Sequence, residues 1–256
     1  MQLRLETKLA DGYTSQSQKI RVLTESWVDK EAYCPNCGHL DINKYRSGKP
    51  VADFFCSNCK EDYELKSKKD SMGNRIVDGA YRTMIERLQE SNNPNFFFLN
   101  YDPVHFEVLN FLVIPKHFFV PSMIEKRKAL APTARRAGFI GCNILLQTIP
   151  ETGKVFFVRN RIVEPKENVL NKWQKTLFLR EEKEIAAKGW LLDIMRCVEK
   201  IGKKEFVLDD VYAFEKELSQ LHPDNRHIKD KIRQQLQVLR DKGYLEFVSP
   251  GHYRLA

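Results

Sequence analysis

The chain has 256 residues, of which 42 are Lys or Arg and 34 are Asp or Glu, so that its formal net charge is +8. This length is sufficient for one large core, or for a large domain and a small one. The basic balance suits a polyanionic partner, although a merely basic protein would have it too. No apolar run approaches the ~18 residues of a membrane span, and the N-terminus lacks the apolar core of a signal peptide. We therefore expect no membrane association and a cytoplasmic location.

The chain begins with two predicted helices, residues 2–10 and 15–30. Within the second, Ile20, Leu23 and Trp27 recur at helical spacing. Such a stripe is more typical of a face that packs on a core than of a binding face. We expect it to be buried.

Four cysteines follow in two pairs, Cys34-Pro-Asn-Cys37 and Cys56-Ser-Asn-Cys59. Two Cys-x-x-Cys pairs about 18 residues apart are typical of a four-thiolate zinc ribbon, in which four protein ligands leave no open position for chemistry. The Pro, Asn and Ser residues between the cysteines favour the tight turns that such a site needs. Disulfides or free thiols are the alternative, and a reducing compartment disfavours disulfides. The sequence therefore predicts a structural zinc site.

A set of charged residues surrounds the second cysteine pair: Asp53 and Glu64-Leu65-Lys66. Residues 51–56 and 63–67 are predicted strands, so Glu64 and Lys66 point to one face while Leu65 points into the core. Pairing of these strands would bring Asp53 beside Glu64, and neighbouring carboxylates both stay ionised when a hard cation lies between them.

Lys66 would then lie next to the metal, where it could orient or deprotonate an attacking water. An edge hairpin with ordinary solvated charges is the alternative, because so short a motif also arises by chance. We take Asp53, Glu64 and Lys66 as candidate catalytic residues. Asp53, Glu64 and the Leu65 carbonyl are the candidate Mg²⁺ ligands.

Helices and strands alternate in the rest of the first domain. Residues 76–90 and 165–180 are predicted amphipathic helices. Residues 95–100, 105–114 and 154–163, rich in Phe and Val, are predicted strands. This mixture predicts an α/β layer around a mostly buried sheet.

A basic stretch between the last two of these strands runs from Lys126 to Gly138 and contains Arg135 and Arg136. Its small residues would let the backbone approach a phosphate, which the two arginines would clamp. A solvated surface loop is the alternative. Arg135 and Arg136 are our candidate DNA contacts in the first domain.

A charged segment, residues 181–184, predicts a boundary between domains 1–182 and 183–256. Beyond it the pattern is that of three helices and a hairpin: 185–201, about 208–222, a helix from Asp224 to Gly243, and strands 244–248 and 252–255. Helix, helix, basic helix and wing make a winged helix-turn-helix, which lays its third helix in the major groove.

The third helix has an apolar face and a polar one. The candidate DNA-binding residues of the polar face are Arg226, His227, Lys229, Arg233, Gln234 and Gln237. Arg and Gln side chains are suited to reading base edges. Some winged helices bind proteins instead, and this is the alternative for the second domain.

Taken together, these motifs resemble the methyl-directed restriction endonucleases of the DpnI type over essentially the whole chain. Asp53, then ten residues, then Glu64-Leu65-Lys66 is similar to the PD-(D/E)xK nuclease core. A departure from that pattern is that Pro50 lies three residues before Asp53 and does not adjoin it.

The resemblance implies an α/β fold with a mixed sheet flanked by helices, a four-cysteine zinc insertion and a winged-helix domain. It also implies double-strand cleavage of GATC sites that contain N6-methyladenine, with catalytic Mg²⁺ and structural Zn²⁺. The partner would be adenine-methylated double-stranded DNA. We expect a monomer in a bacterial cytoplasm.

Two other functions are compatible with parts of the sequence. A transcription regulator with a zinc ribbon and a winged helix would bind DNA without cleaving it, and would explain the cysteines, the charge and the second domain. A nuclease that acts on RNA or on unmodified DNA would keep the chemistry and change only the substrate.

Overall fold

The structure is a computed structural model that describes residues 1–45, 52–90 and 92–256. The chain forms two units: residues 1–147 with 152–176, and residues 148–151 with 177–256. The second unit begins before the charged segment in which the boundary at 182/183 was placed. The assignment of residues 1–182 to a nuclease domain and of residues 183–256 to a DNA-binding domain stays a prediction.

A mixed sheet forms the centre of the first unit. In the part of the chain that the structure describes, its strands are, in spatial order and numbered along the chain, β1 (Ile42–Lys44), β2 (Phe54–Cys56), β3 (Asp62–Lys69), β5 (Asn95–Asp102), β6 (Glu107–Ile114), β9 (Val155–Arg159) and β10 (Ile162–Val163). Strands β3 and β5 are parallel, and the other neighbouring pairs of this sheet are antiparallel. The predicted α/β fold with a mixed sheet is confirmed.

The centre of the sheet is covered on both faces. Phe96, Phe97, Phe98 and Leu99 are consecutive in β5, and all are buried. Consecutive apolar residues are typical of a strand that packs on both of its sides. Helix α1 (Gln16–Glu31) confirms the prediction for residues 15–30 and buries Leu23 and Trp27, whereas Ile20 of the same stripe is half-buried.

A smaller antiparallel sheet adds to the first unit. Among the described residues its strands lie in the order β4 (Arg75–Ala80), β8 (Gly141–Leu145) and β7 (Ile124–Lys126), and helix α2 (Tyr81–Gln89) follows β4. The single helix predicted over 76–90 is therefore wrong in its first part. Ile76 and Val77 are β-branched and Gly79 is a poor helix former, which favours a strand there.

Three other predictions need correction. Residues 2–6 are not helical, because Leu5 donates its N–H to the Phe106 carbonyl, and only a 3₁₀ turn, Thr7–Ala10, follows. The strand predicted over 154–163 is a hairpin, β9 and β10, which turns at Asn160. Helix α3 spans Lys166–Gln174, and a 3₁₀ turn, Leu177–Arg180, takes the place of its predicted last turn.

The second unit is a winged helix-turn-helix, as predicted. Its elements are α4 (Ile185–Ile201), β11 (Glu205–Val207), α5 (Leu208–Tyr212), α6 (Glu215–Leu221), α7 (Ile228–Asp241), β12 (Leu245–Ser249) and β13 (His252–Leu255). The wing is a sheet of order β11-β13-β12, to which β11 was not predicted to contribute. The predicted second helix is broken at Phe214, and the third begins at Ile228 and not at Asp224.

The apolar face of α7 lies in the core of the second unit. Ile228, Ile232, Leu236 and Leu239 are all buried there. Within the described ranges, none of the helices has the length and apolar character that crossing a bilayer requires.

Candidate functional site

The four cysteines of the two pairs converge on one point. Cys34 Sγ lies 3.5 Å from Cys59 Sγ, and Cys37 Sγ lies 3.6 Å from Cys56 Sγ. Sulfurs that bind one tetrahedral zinc ion at about 2.3 Å are roughly 3.8 Å apart. Within the described ranges, these are the His, Cys, Asp and Glu residues that bring three or more ligand atoms within 4.8 Å of one another. The donor set therefore fits Zn²⁺.

Each cysteine pair forms the same tight turn. The first cysteine of each pair accepts a hydrogen bond on its carbonyl from the residue after the second cysteine, Gly38 (2.8 Å) or Lys60 (2.9 Å). Both of these residues have a left-handed backbone, with φ of 74° at Gly38 and 62° at Lys60. We call these two turns the knuckles. Glycine adopts such a φ without strain, whereas lysine does not.

Neighbouring elements hold the first knuckle in place. Trp173 of α3 donates its indole N–H to Asn36 Oδ1 at 2.9 Å, and the Lys166 ammonium donates to the Gly38 carbonyl at 2.7 Å. On the other side, the Tyr63 hydroxyl lies 3.1 Å from Cys34 Sγ. Because Tyr63 immediately precedes Glu64 in β3, the cysteine site is joined directly to the strand that carries the acid-lysine set.

The thiols differ in their electrostatic surroundings. Burial raises the pKa of the Cys34 thiol. Burial acts in the same direction on Cys37, but hydrogen bonds from Asn58 and from the His39 main chain outweigh it and lower the pKa of that thiol to about 6. A ligand set with one easily ionised thiol can begin to bind a metal as a thiolate.

Asp53 immediately precedes β2, and Glu64 lies in β3, the strand with which β2 pairs. β2 and β3 are antiparallel with Phe54 opposite Tyr63, and the Asp53 N–H donates to the Tyr63 carbonyl at 2.9 Å. The Asp53 carboxylate accepts a hydrogen bond from the Leu65 N–H at 2.8 Å. The Leu65 side chain was expected to point into the core, but the residue is only half-buried.

The acid-lysine set lines one cleft of about 310 Å³. Its walls are formed by Asp53, the segment Glu64–Ser67, and Ser17, Arg21, Thr24 and Glu25 of α1. The cleft carboxylates do not converge as tightly as the cysteine sulfurs do. Pro50 lies outside the described residues.

Burial dominates the electrostatics of the two acids. It raises the pKa of Asp53. The hydrogen bond from Leu65 offsets this rise only in part, and the negative charge of Glu25 adds to it. Burial also raises the pKa of Glu64, against the effect of Lys66. Carboxylate and carbonyl oxygens are the ligands that Mg²⁺ prefers, so the residues present fit such an ion.

Lys66 is held between two carboxylates. Its ammonium lies 2.5 Å from Glu64 Oε1 and also contacts Asp78 Oδ1. Burial by itself would lower the pKa of Lys66, but the two acids outweigh it and raise the pKa. The amine is thus a cation at neutral pH.

Sequence reasoning missed two acids of this region. Glu25 of α1 is buried and lies 2.5 Å from Arg21 Nε and 2.5 Å from Lys44 Nζ. Asp78 belongs to β4 of the smaller sheet. Neither has a fixed spacing to Glu64 in the chain, so no motif signals them; a charged residue beside the buried stripe of α1 was the available clue for Glu25.

The candidate DNA-binding residues of the second unit are all solvent-exposed. They are Arg226, His227, Lys229, Arg233, Gln234 and Gln237, of which the first two lie in the turn before α7 and the others on its outer face. Arg233 contacts Asp230 at 3.0 Å and Lys229 lies 3.6 Å from Glu215. Ion pairs this exposed are weak and leave both cations free to meet a phosphate.

The basic stretch of the first unit is an ordered extension of the β7–β8 hairpin. The Leu130 N–H donates to the Phe139 carbonyl at 2.9 Å, and the Gly138 N–H donates to the Leu130 carbonyl at 3.1 Å. Arg135 and Arg136 are exposed at its tip, and the Arg136 guanidinium lies 3.8 Å from the centre of the Phe139 ring.

Comparison with known families agrees with this description. A family model described as DpnI, Dam-replacing family, matches residues 1–182. A second, described as the Dam-replacing HTH domain, matches residues 186–255. The first match alone covers more than half of the chain, and the second covers the winged helix. The chain therefore belongs to the DpnI, or Dam-replacing, family, which at the family level is one of methyl-directed restriction endonucleases.

Proposed function

We propose that this protein is a Mg²⁺-dependent endonuclease of the PD-(D/E)xK type that makes double-strand cuts in DNA at GATC sites containing N6-methyladenine. The observation that carries the nuclease chemistry is the cleft in which Asp53, Glu64 and Lys66 meet. The target and the requirement for the methyl group rest on the family. A monomer that works in a bacterial cytoplasm is part of the same proposal.

Asp53, Glu64 and the Leu65 carbonyl would hold the Mg²⁺ ion. When bound, the ion supplies Lewis-acid stabilisation of the phosphate charge and favours ionisation of water. The Leu65 N–H orients the Asp53 carboxylate toward the cleft. Lys66 donates a hydrogen bond to the attacking water or to a phosphate oxygen, and its positive charge offsets the negative charge that builds up there.

Hydrolysis proceeds by in-line displacement. The water oxygen forms a bond to phosphorus and gives up a proton to the solvent, and the bond from phosphorus to the leaving sugar oxygen breaks with its electron pair. That oxygen then takes a proton, so the products are one phosphomonoester and one hydroxyl. The part of the protein is to align the groups and to stabilise the charge.

Zinc has a structural role in this proposal. Four thiolates close the coordination of the ion, so no position is left for substrate or water. The second knuckle lies between β2 and β3, which carry or adjoin the two acids. Its tight turn fixes how those strands approach each other.

Both units contribute to DNA binding. Lys and Arg contacts with phosphates supply affinity that falls with salt, and the exposed face of α7 reads base edges in the major groove. Burying a single methyl group contributes only about 0.8 kcal/mol. We therefore propose that both units read the methylated adenine, so that the selectivity of one adds to that of the other.

The decisive experiment is digestion of one plasmid prepared from adenine-methylating and from non-methylating hosts, with Mg²⁺ and with a chelator. We expect cutting of the methylated plasmid alone, and only with Mg²⁺. The variant Asp53→Ala should bind the same DNA without cutting it. A wild-type protein that shifts methylated DNA in a gel without cutting it would instead support the transcription regulator. Equal cutting of both plasmids would refute the methyl requirement.

A further inference from the structure

The Lys66 ammonium has a carboxylate partner outside the sequence motif. Its nitrogen contacts both Glu64 Oε1, at 2.5 Å, and Asp78 Oδ1. The Asp78 side chain is 6% exposed, compared with 19% for Glu64 and 20% for Lys66. A buried acid in contact with a largely buried cation is held in a defined position, because leaving either charge unpaired would be costly.

Asp78 reaches Lys66 from a different sheet. Glu64 and Lys66 lie in β3 of the large sheet, whereas Asp78 lies in β4 of the small one. The β4–β8 pairing shifts register between Asp78 and Ala80, and the Gly79 N–H donates to Asp78 Oδ1 at 2.7 Å. Irregularities of this kind often occur beside active sites, where they redirect a side chain. Here the main chain itself fixes the carboxylate that meets the amine.

We propose that Asp78 is a positioning residue, which holds the Lys66 ammonium at the place where it meets the scissile phosphate and the attacking water. This inference rests on the proposed nuclease function and adds to it a residue that the acid-lysine motif does not contain.

The reason lies in the three hydrogens of the ammonium group. Two are directed to Glu64 and Asp78 in the structure, which leaves one for the phosphate or the water. Glu64 is also a candidate metal ligand, so its oxygens are shared with the ion. Asp78 is then the partner whose hold on Lys66 does not compete with the metal. Without it, a flexible lysine side chain would sample many rotamers.

The first test compares single-turnover cleavage by the full-length wild type, Asp78→Asn and a matched control, Glu125→Gln. Glu125 lies in the same small sheet and lies 3.2 Å from Arg75, but it is paired with that arginine rather than with Lys66. A misplaced catalytic group can reduce a rate by about 10²-fold, so we expect a 10- to 100-fold slower cleavage step for Asp78→Asn. We expect unchanged affinity for methylated DNA and a wild-type rate for the control.

A double-mutant cycle shows whether Asp78 acts through Lys66. In a Lys66→Gln background, Asp78→Asn should cause no further loss of rate, because the group that it positions is gone. Losses that multiply would overturn the proposal, as would a wild-type rate for Asp78→Asn alone.

A readout that does not depend on cleavage is the ¹⁵N signal of the Lys66 ammonium in lysine-labelled, metal-free protein, assigned by its absence in Lys66→Gln. We expect a sharp signal in the wild type and a signal broadened by hydrogen exchange in Asp78→Asn. An equally sharp signal in both would contradict the positioning role.

Two further variants cover the case in which Asp78→Asn does not fold. The side chains introduced by Asp78→Glu and Asp78→Gln have the same size and differ in charge. If the carboxylate is what holds Lys66, Asp78→Glu should cleave at least about tenfold faster than Asp78→Gln. Equal rates would reject the proposal. A wild type that does not cut DNA at all would refute the proposed function itself, which is a distinguishable result.

Discussion

At the scale of single residues, the acids of the cleft depend on main-chain contacts as much as on charge. Asp53 is oriented by the Leu65 N–H at 2.8 Å, so the residue between Glu64 and Lys66 serves the site through its backbone and not through its side chain. Leu65 is also the residue whose carbonyl is a candidate metal ligand. Substitutions of this side chain should therefore be tolerated better than substitutions of its neighbours.

Two lysines of β3 offer a matched comparison. Lys66 is surrounded by carboxylates in the cleft, whereas Lys68 is exposed and donates to the Met72 carbonyl at 3.1 Å. Loss of one donor that stabilises the charge of the transition state typically slows catalysis by about 10²–10³-fold. We expect a loss of this size in single-turnover cleavage for Lys66→Ala and less than about threefold for Lys68→Ala.

Both variants should bind methylated DNA. Lys68→Ala should keep the melting temperature of the wild type, whereas Lys66→Ala should melt at a lower temperature, because it leaves two carboxylates without their cation. If Lys68→Ala were the slower enzyme, the assignment of Lys66 would be wrong.

At the scale of elements, the two knuckles have the same backbone but not the same sequence. Gly38 and Lys60 occupy equivalent left-handed positions, and a Cβ atom added to Gly38 would lie 3.3 Å from Leu170 Cδ1. The first knuckle thus requires glycine on two grounds. The second accepts lysine at a cost in backbone strain.

This difference predicts that exchanges at the two positions change stability by different amounts. Gly38→Ala should lower the free energy of unfolding by about 1–2 kcal/mol, since it places a side chain in a left-handed conformation. Lys60→Gly should change it by less than about 1 kcal/mol, because relief of strain is offset by the greater entropy of the unfolded chain. Urea denaturation of zinc-loaded protein measures both. A Gly38→Ala protein as stable as the wild type would contradict the geometry of the first knuckle.

The sequence predicted those elements whose patterns are local and missed those that depend on distant contacts. The cysteine spacing and the two strands around it predicted that Asp53 would lie beside Glu64, and both residues line the same cleft. Ile76 and Ala80 fit the inner face of a helix as well as that of a strand, and only pairing with β8 decides between them. Asp78 was missed for the same reason: its partner, Lys66, lies in another sheet.

At the scale of the whole molecule, the cations lie on both units. Arg135 and Arg136 are exposed on a hairpin of the first unit, and the outer face of α7 is exposed on the second. Binding that uses many phosphate contacts falls steeply as salt rises. Contacts with bases have little such dependence, so salt titration separates the two kinds of residue.

We expect Arg135→Ala with Arg136→Ala to weaken binding to methylated and unmethylated duplexes alike. The slope of log K against log salt should become less steep by about 2, or about one for each lost phosphate contact. Lys30→Ala, which removes an exposed cation at the end of α1, serves as the control with an unchanged slope. A double variant that lost affinity only for methylated DNA would show that this hairpin reads the base and not the backbone.

The close succession of Asp53, the second knuckle and Glu64 has a consequence for how the chain tolerates change in length. One extra residue between Asp53 and Phe54 would leave all four thiols able to take up their ion and Phe54 in its buried position. It would, however, turn the aspartate away from Glu64, because successive side chains of an extended chain alternate. The product would be a well-folded, metal-loaded protein without hydrolytic power, a defect that no measurement of stability would reveal.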